Sequence, residues 1–251
     1  MDHDTASRHY RALIDDHLRA PAPESAASLF IEPFRTALVV EGAEDSAIEG
    51  MLWAAWGPVV QAARRSRAAQ RDLLDLLDAI RRRAPLTRDD GDRCVIWGDQ
   101  VVLTDLPCFG AQLRETWDLD ETGSEQQVNL NAFAARLTAA GIDFSRYAIW
   151  TLREHLEDTT PAADLGAVLA WLGHCGPTLA QLSLRPDPPP DRGPARVGPL
   201  GRAAGVDAGG FSRTRWAFWR GRLTELARGD GAVAEQARTA LRHMPPLETT
   251  T

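Results

Sequence analysis

Lysine is absent from all 251 residues, so the 28 basic side chains are arginines. Schiff-base catalysis, attachment of pyridoxal phosphate and the phosphate-gripping lysine of a P-loop each need an amine that this chain cannot supply, and those classes are excluded. Cysteine is scarce. Cys94, Cys108 and Cys175 form an odd set without zinc-type spacing, which speaks against a disulfide framework and a structural metal and favours a reducing, cytoplasmic setting. No run approaches the roughly 18 apolar residues that a membrane span needs. The opening residues from Met1 to Arg11 are polar and charged, so neither an anchor nor a signal peptide is expected. Neither a Gly-x-Gly-x-x-Gly fingerprint nor a Gly-x-Ser-x-Gly elbow is present, and no cofactor and no metal is expected. The excess of 35 acidic over 28 basic residues, a formal charge of -7, argues against nucleic acid or an anionic membrane as principal partner.

With 44% hydrophobic and 25% charged residues, the chain has the balance of an ordinary globular protein. The pattern predicts an all-α, irregular multi-helix bundle with at most one short β-hairpin near 94–104. It suggests one helical domain over 1–251, with 184–210 as a Pro/Gly/Arg-rich loop or disordered insertion. A helix from Asp4 to Ala20 carries Tyr10, Leu13, Ile14, His17 and Leu18 at helical spacing and ends at Pro21 and Pro23. A second runs from Glu24 into Val40, with Pro33 expected to kink or split it. Ser46 and Glu49 form a capping-box pair before an apolar helix with Met51, Leu52, Trp53 and Trp56. Leu73, Leu74, Leu76, Leu77 and Ile80 mark an amphipathic helix expected to pair antiparallel with it. Asp105 reads as an N-cap for a helix from Pro107, and Ser124 with Gln127 as a second capping box. A central helix spans Ser145 to Glu157. The next is capped by Thr160, starts at Pro161 and bends near Pro177, and the last two run over 212–228 and 233–243.

Several segments resemble a fungal family catalogued as domain of unknown function 3632. They are Met51-Leu52-Trp53-Ala54-Ala55-Trp56, Trp97 with Asp105-Leu106-Pro107, the run from Val128 to Leu137, Tyr147-Ala148-Ile149-Trp150-Thr151-Leu152-Arg153, and Arg215-Trp216-Ala217-Phe218-Trp219-Arg220. The resemblance covers about three quarters of the chain and implies a helical fold, a filamentous-fungal origin and a setting in secondary metabolism. It carries no catalytic signature.

The eight tryptophans are the most unusual feature. Trp53 with Trp56 and Trp216 with Trp219 are three apart and line single helix faces, either as core or as walls of an aromatic pocket. Two functions follow. The first is a cofactor-independent enzyme of secondary metabolism, a cyclase, pericyclase or isomerase. In it Trp53, Trp56, Trp150, Trp216 and Asn131 hold an apolar small-molecule substrate, and Glu154, His174 and Arg136 supply polar catalysis. The second is a non-catalytic helical protein-interaction or regulatory module, with tryptophans in the core and a groove for a protein partner. The plainer readings stand beside these: His174 and Cys175 at a proline bend, Glu154 on a wet charged edge, and Asn129 and Asn131 as backbone-satisfying groups. Asp72, Asp75 and Asp78, like the arginine runs at 64–67 and 81–83, read as solvated helix faces.

Overall fold

The computed structural model describes residues 3–40, 42–83, 85–88, 91–119, 123–160, 162–185 and 191–247. Apolar residues at helical spacing between prolines set the first elements. α1 (His3–Arg19) buries Tyr10, Leu13, Ile14 and His17 and stops ahead of Pro21. α2 (Pro23–Arg35) begins with Pro23 in its first turn, where the missing N–H had no intrahelical partner to lose. The expected break at Pro33 does not occur. The helix runs on to Arg35 and then widens into a π-helical turn, Thr36–Val40, which absorbs the ladder that proline disturbs.

α3 (Asp45–Arg65) starts after Glu44 and has no side-chain cap, so the Ser46–Glu49 box is not formed; Ser46 already lies inside the helix. α4 (Gln70–Arg83) buries Leu73, Leu76, Leu77 and Ile80 and leaves Asp75 and Asp78 exposed. Pairing differs from the expectation: α1 packs mainly on α3 and α2 on α4, whereas α3 and α4 touch far less. β1 (Val95–Ile96) and β2 (Gln100–Val101) form the antiparallel hairpin, with Val95 opposite Val101 and Ile96 opposite Gln100. Asp105 is not a helix cap. Its Oδ2 accepts the Val101 N–H at 2.7 Å and closes the hairpin instead. α5 (Phe109–Asp118) then starts after Cys108 rather than at Pro107. Trp97, Leu103, Leu106 and Cys108 all have positive φ, 53° to 66°, a conformation that costs a non-glycine residue roughly 1–2 kcal/mol. Burial of Leu103, Leu106 and Cys108 holds the last three in place.

α6 (Glu125–Ala139) is capped by Ser124, whose Oγ accepts the Gln127 N–H at 3.1 Å. The return bond from Gln127 goes to the N–H of Gly123 rather than of Ser124. Gly141, at φ 87°, ends the helix and lets the Ile142 N–H reach the Leu137 carbonyl, the hydrogen-bond pattern of a glycine-terminated helix. α7 (Ser145–Leu156) matches the expected central helix. α8 (Gly166–Ser183) begins later than predicted; Pro161 lies outside the described residues, and Asp164 accepts the Gly166 N–H at 2.7 Å just before the first turn. It continues through Pro177. A 3-10 turn (Gly193–Ala195), the short α9 (Pro199–Ala203), α10 (Arg213–Leu226) and α11 (Ala232–His243) complete the chain.

The fold is therefore all-α with one short hairpin. The chain divides into two compact units, Met1–Asp120 and Glu121–Thr251. In the first, Tyr10, Phe30, Phe34, Trp56 and Phe109 pack among aliphatic side chains; in the second, Phe133, Trp171, Trp216 and Trp219 do. No helix among the described residues is long and apolar enough to cross a membrane.

Candidate functional site

Four tryptophans are fully buried, and each donates its indole N–H to a protein acceptor. Trp56 reaches the Pro107 carbonyl at 2.8 Å while lying 5.1 Å from the Phe30 ring in a stacked arrangement. Trp171 reaches Asn131 Oδ1 at 2.7 Å, Trp216 the Pro245 carbonyl at 3.1 Å, and Trp219 Glu157 Oε1 at 2.6 Å. These rings fill the two cores and fix loops to helices, as amphipathic aromatics do when their polar tip is satisfied. Trp53 and Trp150 are the half-exposed members of the nominated set.

Asn131, nominated for substrate, is a buried junction. Its Oδ1 accepts from Trp171 and from the Thr151 hydroxyl, both at 2.7 Å, and its Nδ2 donates to the Gln127 carbonyl at 2.9 Å, so one amide ties α6, α7 and α8 together. The nominated polar groups are not gathered in one place. Glu154 lines two clefts, in one of which Trp150 is a wall. His174 is half-exposed on α8 and Arg136 half-buried on α6, and neither lines any cleft described below. His155, beside Glu154, sits with Nδ1 2.9 Å from the Thr151 carbonyl; a carbonyl only accepts, so Nδ1 carries the proton.

The strongest ionic feature falls on residues that sequence reasoning passed over. Glu157 and Arg215 form an ion pair with both side chains fully buried. Arg215 Nε and Nη2 meet Glu157 Oε1 and Oε2 at 2.6 and 3.1 Å. Nη1 donates to the Ala195 and Gly210 carbonyls at 2.8 and 3.0 Å, and Nη2 also to the Arg196 carbonyl at 3.1 Å, so all five guanidinium N–H groups have acceptors. Glu157 takes further donors from the Trp219 indole and the Gly198 N–H, and its backbone carbonyl accepts from Leu200. Residues 191–210 of the Pro/Gly/Arg-rich segment are thus strapped onto α7 and α10. A Cβ on Gly198 would stand 2.6 Å from Glu157 Cβ, which is why glycine is needed there. One signal was available: Arg215 precedes Trp219 by four, so the two share a helix face, and a buried Trp219 places Arg215 inside.

Four clefts are relevant, two in each unit. In the first unit, a cleft of about 580 Å³ between α1, α3 and α5 is walled by Trp53, with Arg11, Asp15, Gln61 and Gln112 around it. A shallower groove of about 340 Å³ lies between α1 and α2, lined mainly by apolar surface from Ala12, Leu13, Ala20, Ala22, Ala26 and Leu29. In the second, a cleft of about 280 Å³ is bordered by Glu154, His155, Asp158 and Asp164. One of about 460 Å³, mostly polar, carries Trp150, Arg153, Glu154, Asp158, Arg196 and Arg202. None of these combines two tryptophans. Burial pushes the Cys108 thiol up to about 12 and the Cys175 thiol up to about 11, and raises Cys94, so these buried thiols are poor nucleophiles near neutral pH. No grouping of three or more metal-ligating side chains occurs among the described residues.

No curated protein and no solved structure matches the chain. A family model described as "Protein of unknown function (DUF3632)" matches residues 56–223 and so takes in the Asn131 junction, the Glu157–Arg215 pair and three of the four interior tryptophans outright, with Trp56 as its first residue. With well over half of its length covered, the chain belongs to the DUF3632 family of proteins of unknown function.

Proposed function

We propose that the protein is a non-catalytic helical interaction module whose binding surface is the groove between α1 and α2. The observation that carries this reading is the contrast between a filled interior, in which every buried indole N–H is already engaged, and an open apolar groove. α1 leans on α3 and α2 on α4, and the weak contact between α1 and α2 leaves the gap. Its alanines let another backbone approach closely. Leu29, 62% exposed, stands on the rim, with His9, Asp16 and Ser25 as polar borders, the anatomy of a helix-in-groove contact. The partner we infer is an amphipathic protein helix, met in the cytoplasm. Fungal secondary metabolism, the setting that the family resemblance implies, is where we would look for it. A cofactor-free enzyme would work through Glu154, the nominated acid–base group that lines two of the clefts described above.

The test is a photoreactive p-benzoylphenylalanine at position 29 in the native host. One discrete protein adduct is expected, lost when Ala12→Arg fills the groove from an exposed helix position with no buried group removed. Adducts that persist in Ala12→Arg, or none at all, would sink the module reading.

A further inference from the structure

Independently of that groove, we propose that the cleft between α7 and the 191–210 strap binds the phosphate monoester of a small hydroxyl-bearing molecule, such as a sugar phosphate. Three guanidinium-bearing residues, Arg153 from α7 and Arg196 and Arg202 from the strap, line the same cleft of about 460 Å³. Their neutralisation within the protein is incomplete. The Glu157 carboxylate, just past the end of α7, is taken by Arg215, the Trp219 indole and the Gly198 N–H. Arg153 gives one N–H to the Pro194 carbonyl at 3.2 Å, a neutral acceptor. Arg202 comes no closer than 4.0 Å to Asp191, and Arg196 has neither a hydrogen-bond nor an ion-pair partner for its guanidinium among the described residues.

The cleft therefore sets three guanidiniums against two carboxylates, Glu154 and Asp158, a local surplus of one positive charge inside a protein of net charge -7. Burial first, and then the charges of Arg196 and Arg215, push Arg153 below the usual arginine range, with Glu157 and Glu154 pulling the other way. A bound anion removes that repulsion. A phosphate monoester offers three equivalent oxygens and up to two negative charges, which suits three guanidiniums better than the two oxygens of a carboxylate. Glu154 and Asp158, which line the same cleft, would repel a bare anion, but they accept hydrogen bonds from hydroxyls. Both also have contacts within the protein, and Asp158 Oδ1 accepts the Thr160 N–H at 3.3 Å and the Thr159 hydroxyl at 3.4 Å. That pairing of a basic wall with an acidic border favours a phosphate attached to a polyol over inorganic phosphate. Trp150, held by its N–H on the Pro194 carbonyl at 3.0 Å, closes one side. The Glu157–Arg215 clamp fixes the strap that carries Arg196 and Arg202, so the site is formed before the ligand arrives, which lowers the ordering cost of binding.

Calorimetric titration of the full chain at low salt compares glucose 6-phosphate, inorganic phosphate, glucose and vesicles containing phosphatidic acid. Glucose 6-phosphate should bind saturably and more tightly than inorganic phosphate, and glucose should not bind. Arg196→Gln with Arg202→Gln, both at exposed side chains, should weaken glucose 6-phosphate by about tenfold or more. Arg228→Gln, a loss of one charge at an exposed position elsewhere on the same unit, should leave it unchanged, and thermal midpoints should show all variants folded. No saturable binding, equal affinity for inorganic phosphate, binding to vesicles alone, or equal weakening by Arg228→Gln would each overturn the proposal.

Discussion

Arg215 shows how much one side chain can organise when it is charged, planar and dry. Two charges taken from water incur a desolvation cost that their attraction offsets only when every remaining hydrogen-bonding group is met, and here each guanidinium N–H has its acceptor. Removing one partner leaves the other buried and uncompensated. Arg215→Met should therefore lower stability by about 3–5 kcal/mol, and Glu157→Leu should also destabilise. The double variant Glu157→Leu, Arg215→Met should recover part of the loss, because it removes both charges. Denaturant midpoints for the three proteins check this; a double variant as damaged as the sum of its parts would show that the pair does not act as a unit. The same residue explains why the site was hard to read. Glu157 stands in the string Arg153, Glu154, Glu157, Asp158, and a carboxylate in such company is ordinarily wet. Its burial depends on residues about 40 and 60 positions away, Gly198 and Arg215, which no local spacing reveals.

Elements were more legible than contacts. Periodicity in α1, α4, α10 and α11 reflects one buried face on each, which is a local property that helical spacing reports. Starts and partners were less so. Asp105 looked like a cap because an aspartate before Leu-Pro is one, yet the hairpin N–H of Val101 competed for it and won. The Pro177 bend follows from the missing donor and the clash of its ring with the Gly173 carbonyl, whereas the neighbouring glycine has the larger structural duty. A Cβ on Gly176 would lie 2.4 Å from the His243 carbonyl, so α8 has no side chain where the end of α11 meets it. Gly176→Ala is accordingly expected to cost about 1–3 kcal/mol by overpacking, despite alanine's better helix propensity. Gly173→Ala, with open space around its Cβ, should be neutral or slightly stabilising. Thermal midpoints of the two variants decide it; equal behaviour would mean that the α8–α11 approach carries no constraint.

For the molecule as a whole, the three thiols set a direction in pH. Burial raises all of them, so the folded chain keeps protons that the unfolded chain begins to release at about pH 8.5. When the folded state binds more protons than the unfolded one, stability falls as pH rises. The contribution is fully present below about pH 8.5 and is lost progressively toward the raised values near 11 and 12 for Cys175 and Cys108. Denaturation midpoints from pH 7 to 10.5 should decline, and Cys108→Ala should flatten the upper part of that decline. A slope unchanged in Cys108→Ala would show that its thiol titrates alike in both states.

The interior tryptophans also make the molecule a self-labelled optical sample. Trp56 sits in the unit that runs to Asp120, whereas Trp171, Trp216 and Trp219 sit in the one that follows, each held dry against a fixed polar group. Their emission should lie to the blue of free indole and move to longer wavelength as each core admits water. Phenylalanine replacements that leave a single ring emitting at a time would then reveal whether the two halves melt together or in sequence.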